Sequence, residues 1–263
     1  MPLETKYLDL IDALCPCEMN APMRERLSSL YDLVVETNQR INITSLVSPI
    51  DVALKHIADS LSLFYCRELT LALTADARFC DVGCGGGFPG LPLACAAPEL
   101  SLTMIDSTEK KILALKENAL RLGLRNVAPL WGRGEELALP KGAMRERFDV
   151  CVSRAVASLP VLCELCLPFV KFGGYFVAMK GQRATEELDA AKRAIPMLGG
   201  VCKEVLEIPM PPKFPELLVF SSEEREKIDS FLTAKRYLIV IQKKKPTTSI
   251  YPRKWSQMTK KPL

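Results

Sequence analysis

From residue 78 onward the chain alternates short apolar runs with amphipathic stretches, and this rhythm restricts its fold more than any other feature. Apolar runs fall at 79–82, 101–105, 127–131, 148–153 and 174–179, with two more near 201–208 and 237–242 flanking the proline-rich "PMPPKFP". Helical stretches follow most of them: one from about residue 89, then 109–122 closed by Gly123, 159–169 and 185–195. A strand that is apolar on both faces has to be covered on both, as strands are in parallel sheets wound with crossover helices. The expectation is an α/β, Rossmann-like fold with a mostly parallel seven-stranded sheet.

The first 70 residues read differently, as a helical extension. Leu27, Leu30, Tyr31, Val34 and Val35 recur at helical spacing, and "SPID" at 48–51 carries a capping hydroxyl, a first-turn proline and an acid. The helix it starts is expected to turn Val52, Leu54, Ile57, Leu61 and Phe64 inward. No apolar run approaches the ~18 residues a membrane span requires. The acids among the apolar residues of "MPLETKYLDLIDALCPC" argue against a signal peptide, so the expected compartment is the cytoplasm. Ten scattered cysteines include a CxxC, Cys163 and Cys166, but with one histidine, His56, and no second pair they read as buried packing; no metal is expected. Charge is uneven. From residue 242 onward there are seven Lys/Arg and no acid, while the rest holds 28 basic and 31 acidic residues. Residues 246–263 are therefore either a solvated tail or a basic arm for a phosphate backbone, and Tyr251 and Trp255 would let such an arm stack on bases.

Residues 80–92, "CDVGCGGGFPGLP", supply backbone freedom at the end of the first strand, where open α/β sheets bind ligands. The letters satisfy two patterns, the GxGxxG of dinucleotide sites and the acid-x-Gly-x-Gly-x-Gly of class I methyltransferases; a structural turn is the third reading. Asp106, ending the second strand, is placed to grip ribose hydroxyls in either case. Asp81 favours a methyl donor, because an acid before the glycines would repel a pyrophosphate but suit the ammonium and sulfonium of S-adenosylmethionine. No GxxxxGK[ST] is present. Arg154 and Lys180, after the fourth and fifth strands, put two cations at the same rim, which fits an anionic acceptor such as RNA.

The stretches "NITSLVSPIDVALKHIADSL", "FCDVGCGGGFPGLPL", "MIDSTEKKILAL", "GRGEELA", "FDVCVSRAVASL", "AMKGQ" and "YPRKWSQMTKKPL" together resemble the bacterial 16S ribosomal RNA guanine-N7 methyltransferase G family, also called the glucose-inhibited division protein B family. The resemblance implies a class I S-adenosylmethionine-dependent methyltransferase fold. It also implies S-adenosyl-L-methionine as cofactor, and 16S ribosomal RNA or the small ribosomal subunit as partner of a monomer. Domains would be 1–70 (helical), 71–245 (methyltransferase) and 246–263 (basic tail). The implied donor site falls on Gly83 and Phe88, with Gly85 in the same loop, on Gly134-Glu135 and on Arg154, joining Asp81 and Asp106. Segments 42–45 and 56–60 would shape its mouth. Cys84, Gly134, Lys55 and Lys111 stand where the family usually has threonine, alanine, arginine and arginine. Guanine N7 is a proton-free lone pair, so transfer to it needs no general base; Arg154 and Lys180 are expected to position RNA and donor. His56 is expected to be a buried, hydrogen-bonded histidine. Two rivals remain: a small-molecule methyltransferase, for which loss of residues 246–263 should be harmless, and a non-catalytic RNA-binding protein of the same fold.

Overall fold

The computed structural model describes residues 2–74, 76–209 and 219–263; positions 210–215 of "PMPPKFP" lie outside them. Its centre is a seven-stranded sheet of β1 (Arg78–Val82), β2 (Ser101–Asp106), β3 (Val127–Trp131), β4 (Phe148–Arg154), β5 (Val170–Lys180), β6 (Gly200–Glu207) and β7 (Tyr237–Lys243), in the order β3-β2-β1-β4-β5-β7-β6. The first five strands are parallel to one another, and β7 runs antiparallel between β5 and β6. The mostly parallel α/β expectation holds.

Side chains of successive residues point to opposite faces of a strand, so the apolar runs feed two cores. Phe79, Val150, Val152, Val177 and Val240 join one, while Cys80, Cys151, Phe176, Ala178 and Ile239 join the other. The first core also takes the helices Thr5–Leu14 and Ala21–Arg40 and residues Val52, Leu54, Ile57 and Leu61, with Phe64 half-buried against it. Ser48 caps the next helix as expected, its Oγ accepting the Asp51 N–H at 3.3 Å. That helix continues as a π-helical turn, Val52–Ala58, that carries His56.

Some boundaries differ. The 159–169 stretch is an α-helix only over Leu159–Cys166, because Pro168 lacks an N–H and the last turn tightens to Leu167–Phe169. The 185–195 stretch breaks into Ala184–Ala190 and Ala194–Met197. β6 is an edge strand, and its Val201 and Val205 are exposed instead of covered. A polar helix, Ser222–Thr233, held by a Ser221–Glu224 capping box, lacks the apolar rhythm by which the others were recognised.

Strand order reverses beside β1, which pairs with both β2 and β4. Such a reversal opens a crevice at the strands' carboxyl ends, where the loops diverge. Because β7 is reversed, it is its beginning that reaches this rim: Tyr237 pairs with Lys180, the last residue of β5.

Candidate functional site

β1 ends at Val82, and the chain then turns through Gly83 at φ 78°. The N–H groups of Gly83 and Cys84 both donate to the Ile105 carbonyl, at 2.8 and 3.0 Å, which ties the loop to β2. Asp106 completes the tie: Oδ2 accepts the Gly85 N–H at 2.9 Å and Oδ1 the Thr108 N–H at 2.8 Å. A Cβ at Gly83 would lie 2.3 Å from Val156 Cγ2, so this position has to be glycine both for its φ and for the close approach of the β4 loop. Beside the loop lies a cavity of about 460 Å³.

Gly83, Gly85, Phe88, Asp106, Gly134, Glu135 and Arg154 all line this one cavity, with His56 and Lys111. Glu135 is buried at the start of the short helix Gly134–Leu137. Two expected residues are elsewhere. Asp81 is 0% exposed beneath the loop, where its Oδ2 accepts the Gly90 N–H at 2.9 Å and its Oδ1 has no partner. Burial pushes its carboxyl up to about 7. A carboxylate so placed does not line the cavity or present a full charge to a ligand, so the expectation that Asp81 repels a diphosphate is corrected. Lys111 and Arg133 even bring cations to the wall. What argues against a dinucleotide site is the sheet, whose reversed β7 departs from the 3-2-1-4-5-6 order of such folds.

Lys180 also stands outside this cavity. It lines a neighbouring cavity of about 930 Å³, and its Nζ is held by Glu187 at 2.6 Å and by the Ala157 carbonyl at 2.8 Å. Arg154 is paired as well, donating to Asp59 Oδ2 and to the Lys55 carbonyl, each at 2.7 Å. Two cations at the rim were expected; both stand there, each paired with a carboxylate from another element.

Between the two cavities stand His56, Arg154, Ala155 and Val156, which line both. His56 stacks on Phe88 with ring centroids 4.4 Å apart and 13° between planes, and the Arg154 guanidinium lies 5.8 Å from the Phe88 ring centre. The His56 Nε2 meets Thr44 Oγ1 at 2.8 Å. Burial and the Arg154 charge push the imidazole down to about 4, so it is neutral near pH 7 and a poor base there. Ala155 holds φ 57°, a left-handed conformation that costs a non-glycine residue about 1 kcal/mol or more.

The C-terminal segment supplies what sequence reasoning missed. Trp255 lines the first cavity, at the start of the helix Trp255–Lys260. Arg253 makes a forked pair with Glu164, whose side chain is 0% exposed. Arg145 donates to the carbonyls of Thr247, Thr248 and Tyr251. The segment is thus built into the site, and cutting off residues 246–263 would damage any methyltransferase of this shape; the truncation does not separate the RNA and small-molecule readings. Cys163 and Cys166 are buried, with their thiols pushed well up by burial, and among the described residues no three His, Cys, Asp or Glu side chains group as metal ligands.

Residues 23–211 match the family described as "GidB: rRNA small subunit methyltransferase G". Among curated relatives, the ribosomal RNA small subunit methyltransferase G of Acetivibrio thermocellus is 40% identical over 91% of this chain and 88% of its own. The protein of the same name from Clostridium perfringens is 36% identical over 98% of this chain and 99% of its own. Among solved structures, a geranyl diphosphate methyltransferase in complex with SAM shares the fold, with a TM-score of 0.50 at 14% identity over 74% of this chain and 89% of that one.

Proposed function

This chain belongs to the rRNA small subunit methyltransferase G family, and from that premise we propose that it transfers a methyl group from S-adenosylmethionine to N7 of one guanine in 16S ribosomal RNA. The observation that carries the reading is the cavity at the strand-order reversal, floored by a glycine loop that Asp106 clamps to β2. Its chemistry fits the donor. Each Asp106 oxygen accepts one backbone N–H and keeps a lone pair for a ribose hydroxyl. Ile105, Leu165 and Trp255 offer apolar surface for a flat base.

When bound, S-adenosylmethionine supplies an electrophilic methyl group on a sulfonium. The protein's own residues then have little proton chemistry to do, since N7 presents a lone pair without a proton. His56, neutral and stacked, holds the partition in place, and Arg154 ties that partition to Asp59 and to the Lys55 carbonyl. Orientation of donor and base supplies the acceleration, worth about 7 kcal/mol or more where alignment is good. The base has to leave its stack to reach the cavity, which favours an RNA loop over a duplex. In this reading the protein acts as a cytoplasmic monomer without metal, with a helical part at 1–70, a methyltransferase domain at 71–245 and a basic segment at 246–263.

The test is a map of modified nucleotides in 16S ribosomal RNA from cells with and without the gene. Loss of one N7-methylguanine, restored by the wild-type gene, is the expected result; identical maps would reject the assignment.

A further inference from the structure

The second cavity, of about 930 Å³, is larger than the first and shares its partition wall. Its floor holds a charge arrangement that no single segment could form. Asp59 sits between two arginines: Oδ2 accepts from Arg154 Nη1 at 2.7 Å and Oδ1 from Arg236 Nη1 at 3.4 Å. Arg236 reaches this rim only because β7 is reversed, and its guanidinium lies 3.8 Å over the Phe231 ring centre. Its Nε–H is buried without a partner, a cost of about 1–3 kcal/mol that a purely architectural arginine would avoid.

Three carboxylates line this cavity; Glu186 is exposed at its edge, and hydrogen bonds separate the other two. Glu187 Oε2 already accepts the Lys180 ammonium at 2.6 Å and the Leu159 N–H at 2.7 Å. Asp59 accepts one hydrogen bond per oxygen from these arginines, its side chain is 17% exposed, and it borders the cavity. A carboxylate has about four lone-pair directions, so Asp59 can accept two further donors side by side.

We propose that Asp59 reads the Watson–Crick edge of the acceptor base, accepting N1–H and N2–H of guanine, with Arg236 as the positioning residue that fixes the carboxylate. This rests on the methyl-acceptor reading above. A base whose N7 meets the partition leaves its Watson–Crick edge for the cavity wall. Among the four RNA bases, guanine alone has two adjacent donors on that edge; adenine and cytosine offer a donor beside an acceptor, and uracil a donor between acceptors. The Asp59 carboxylate matches guanine and rejects the others by leaving acceptors facing acceptors.

Small subunits reconstituted with 16S ribosomal RNA carrying guanosine or inosine at the mapped nucleotide test this, because inosine keeps N7, O6 and N1–H and lacks only the N2 amino group. The wild-type protein should show kcat/KM at least about tenfold higher for guanosine. Asp59→Asn should lower transfer to guanosine and bring the ratio to about 2 or less. Arg236→Met should narrow the ratio and Arg236→Lys keep most of it, which separates positioning from bulk loss of structure. Equal wild-type rates on the two substrates, or an Asp59→Asn protein that keeps the full ratio while binding S-adenosylhomocysteine normally, would overturn the proposal. A wild-type protein that methylates neither substrate would instead overturn the acceptor reading on which the proposal stands.

Discussion

The glycine loop and the C-terminal segment border the same cavity, yet they reach it by opposite means. The loop is made of backbone. Its positive φ angles at Gly83, Gly85 and Gly87 and its ties to Ile105 and Asp106 come from within one strand–helix–strand unit. The C-terminal segment is held by side chains from far along the chain. Arg253 meets Glu164 89 residues away, and Arg145 reaches Tyr251 across 106. Lys243, just before the segment, is fully buried, bonded to the Leu167 carbonyl at 2.7 Å and to Thr247, and burial lowers its ammonium to about 8. Of the seven basic residues from 242 onward, Lys243 and Arg253 are therefore already engaged by the protein itself. A run of positive charge in a sequence is not yet a run of available charge.

That contrast can be broken most sharply at Glu164. Glu164→Ala strands Arg253 and frees an Arg253 N–H, which should cost about 3 kcal/mol or more and lower Tm by about 10 °C. An unchanged melting temperature would mean that the segment is solvated after all. On the loop side, Gly83→Ala forces an L residue to φ 78° against Val156. Affinity for S-adenosylhomocysteine should fall roughly 100-fold by calorimetry, and a loss of less than about threefold would show that the loop does not shape the donor site.

Asp81 sharpens the picture beneath the loop. Its carboxyl keeps its proton to about 7 in the folded chain, against the ordinary 3.8. Between those values the unfolded chain binds fewer protons, so stability falls as pH rises from about 4 to about 7. Asp81→Asn should flatten this decline, worth about 2 kcal/mol, in denaturant melts at pH 5 and pH 8. An unaltered slope would mean that Asp81 is ionised and solvated. The smallest effect is expected at Lys260 and Lys261, both exposed. Replacing either by alanine should change stability by less than about 0.5 kcal/mol and reduce the salt slope of RNA binding by about one for each phosphate no longer neutralised. A clear drop in Tm would place these lysines with Arg253 as structural cations.

Much of this was legible beforehand. The apolar runs found all seven strands, the central ones because burial on both faces leaves little room for polar residues, and Ser48-Pro49 marked a helix start through local hydrogen-bond chemistry. The helix Ser222–Thr233 was missed because it packs few apolar residues, Ile228 and Phe231 among them. One signal for the Glu164–Arg253 pair was present and unused: a single acid within "LPVLCELCLPF" cannot be buried without a cation. Nothing local marked Arg236, since its partner Asp59 lies 177 residues earlier.

By itself, then, the sequence determined the layered sheet and the turn at its switch point, because hydrophobic periodicity and backbone freedom act over a few neighbouring residues. Only the tertiary structure decided that Asp106 and not Asp81 lines the cavity, and which cations are already paired. Desolvation and charge pairing depend on what the rest of the chain packs around a group, and for Asp59, Glu164 and Lys243 that surrounding comes from distant segments.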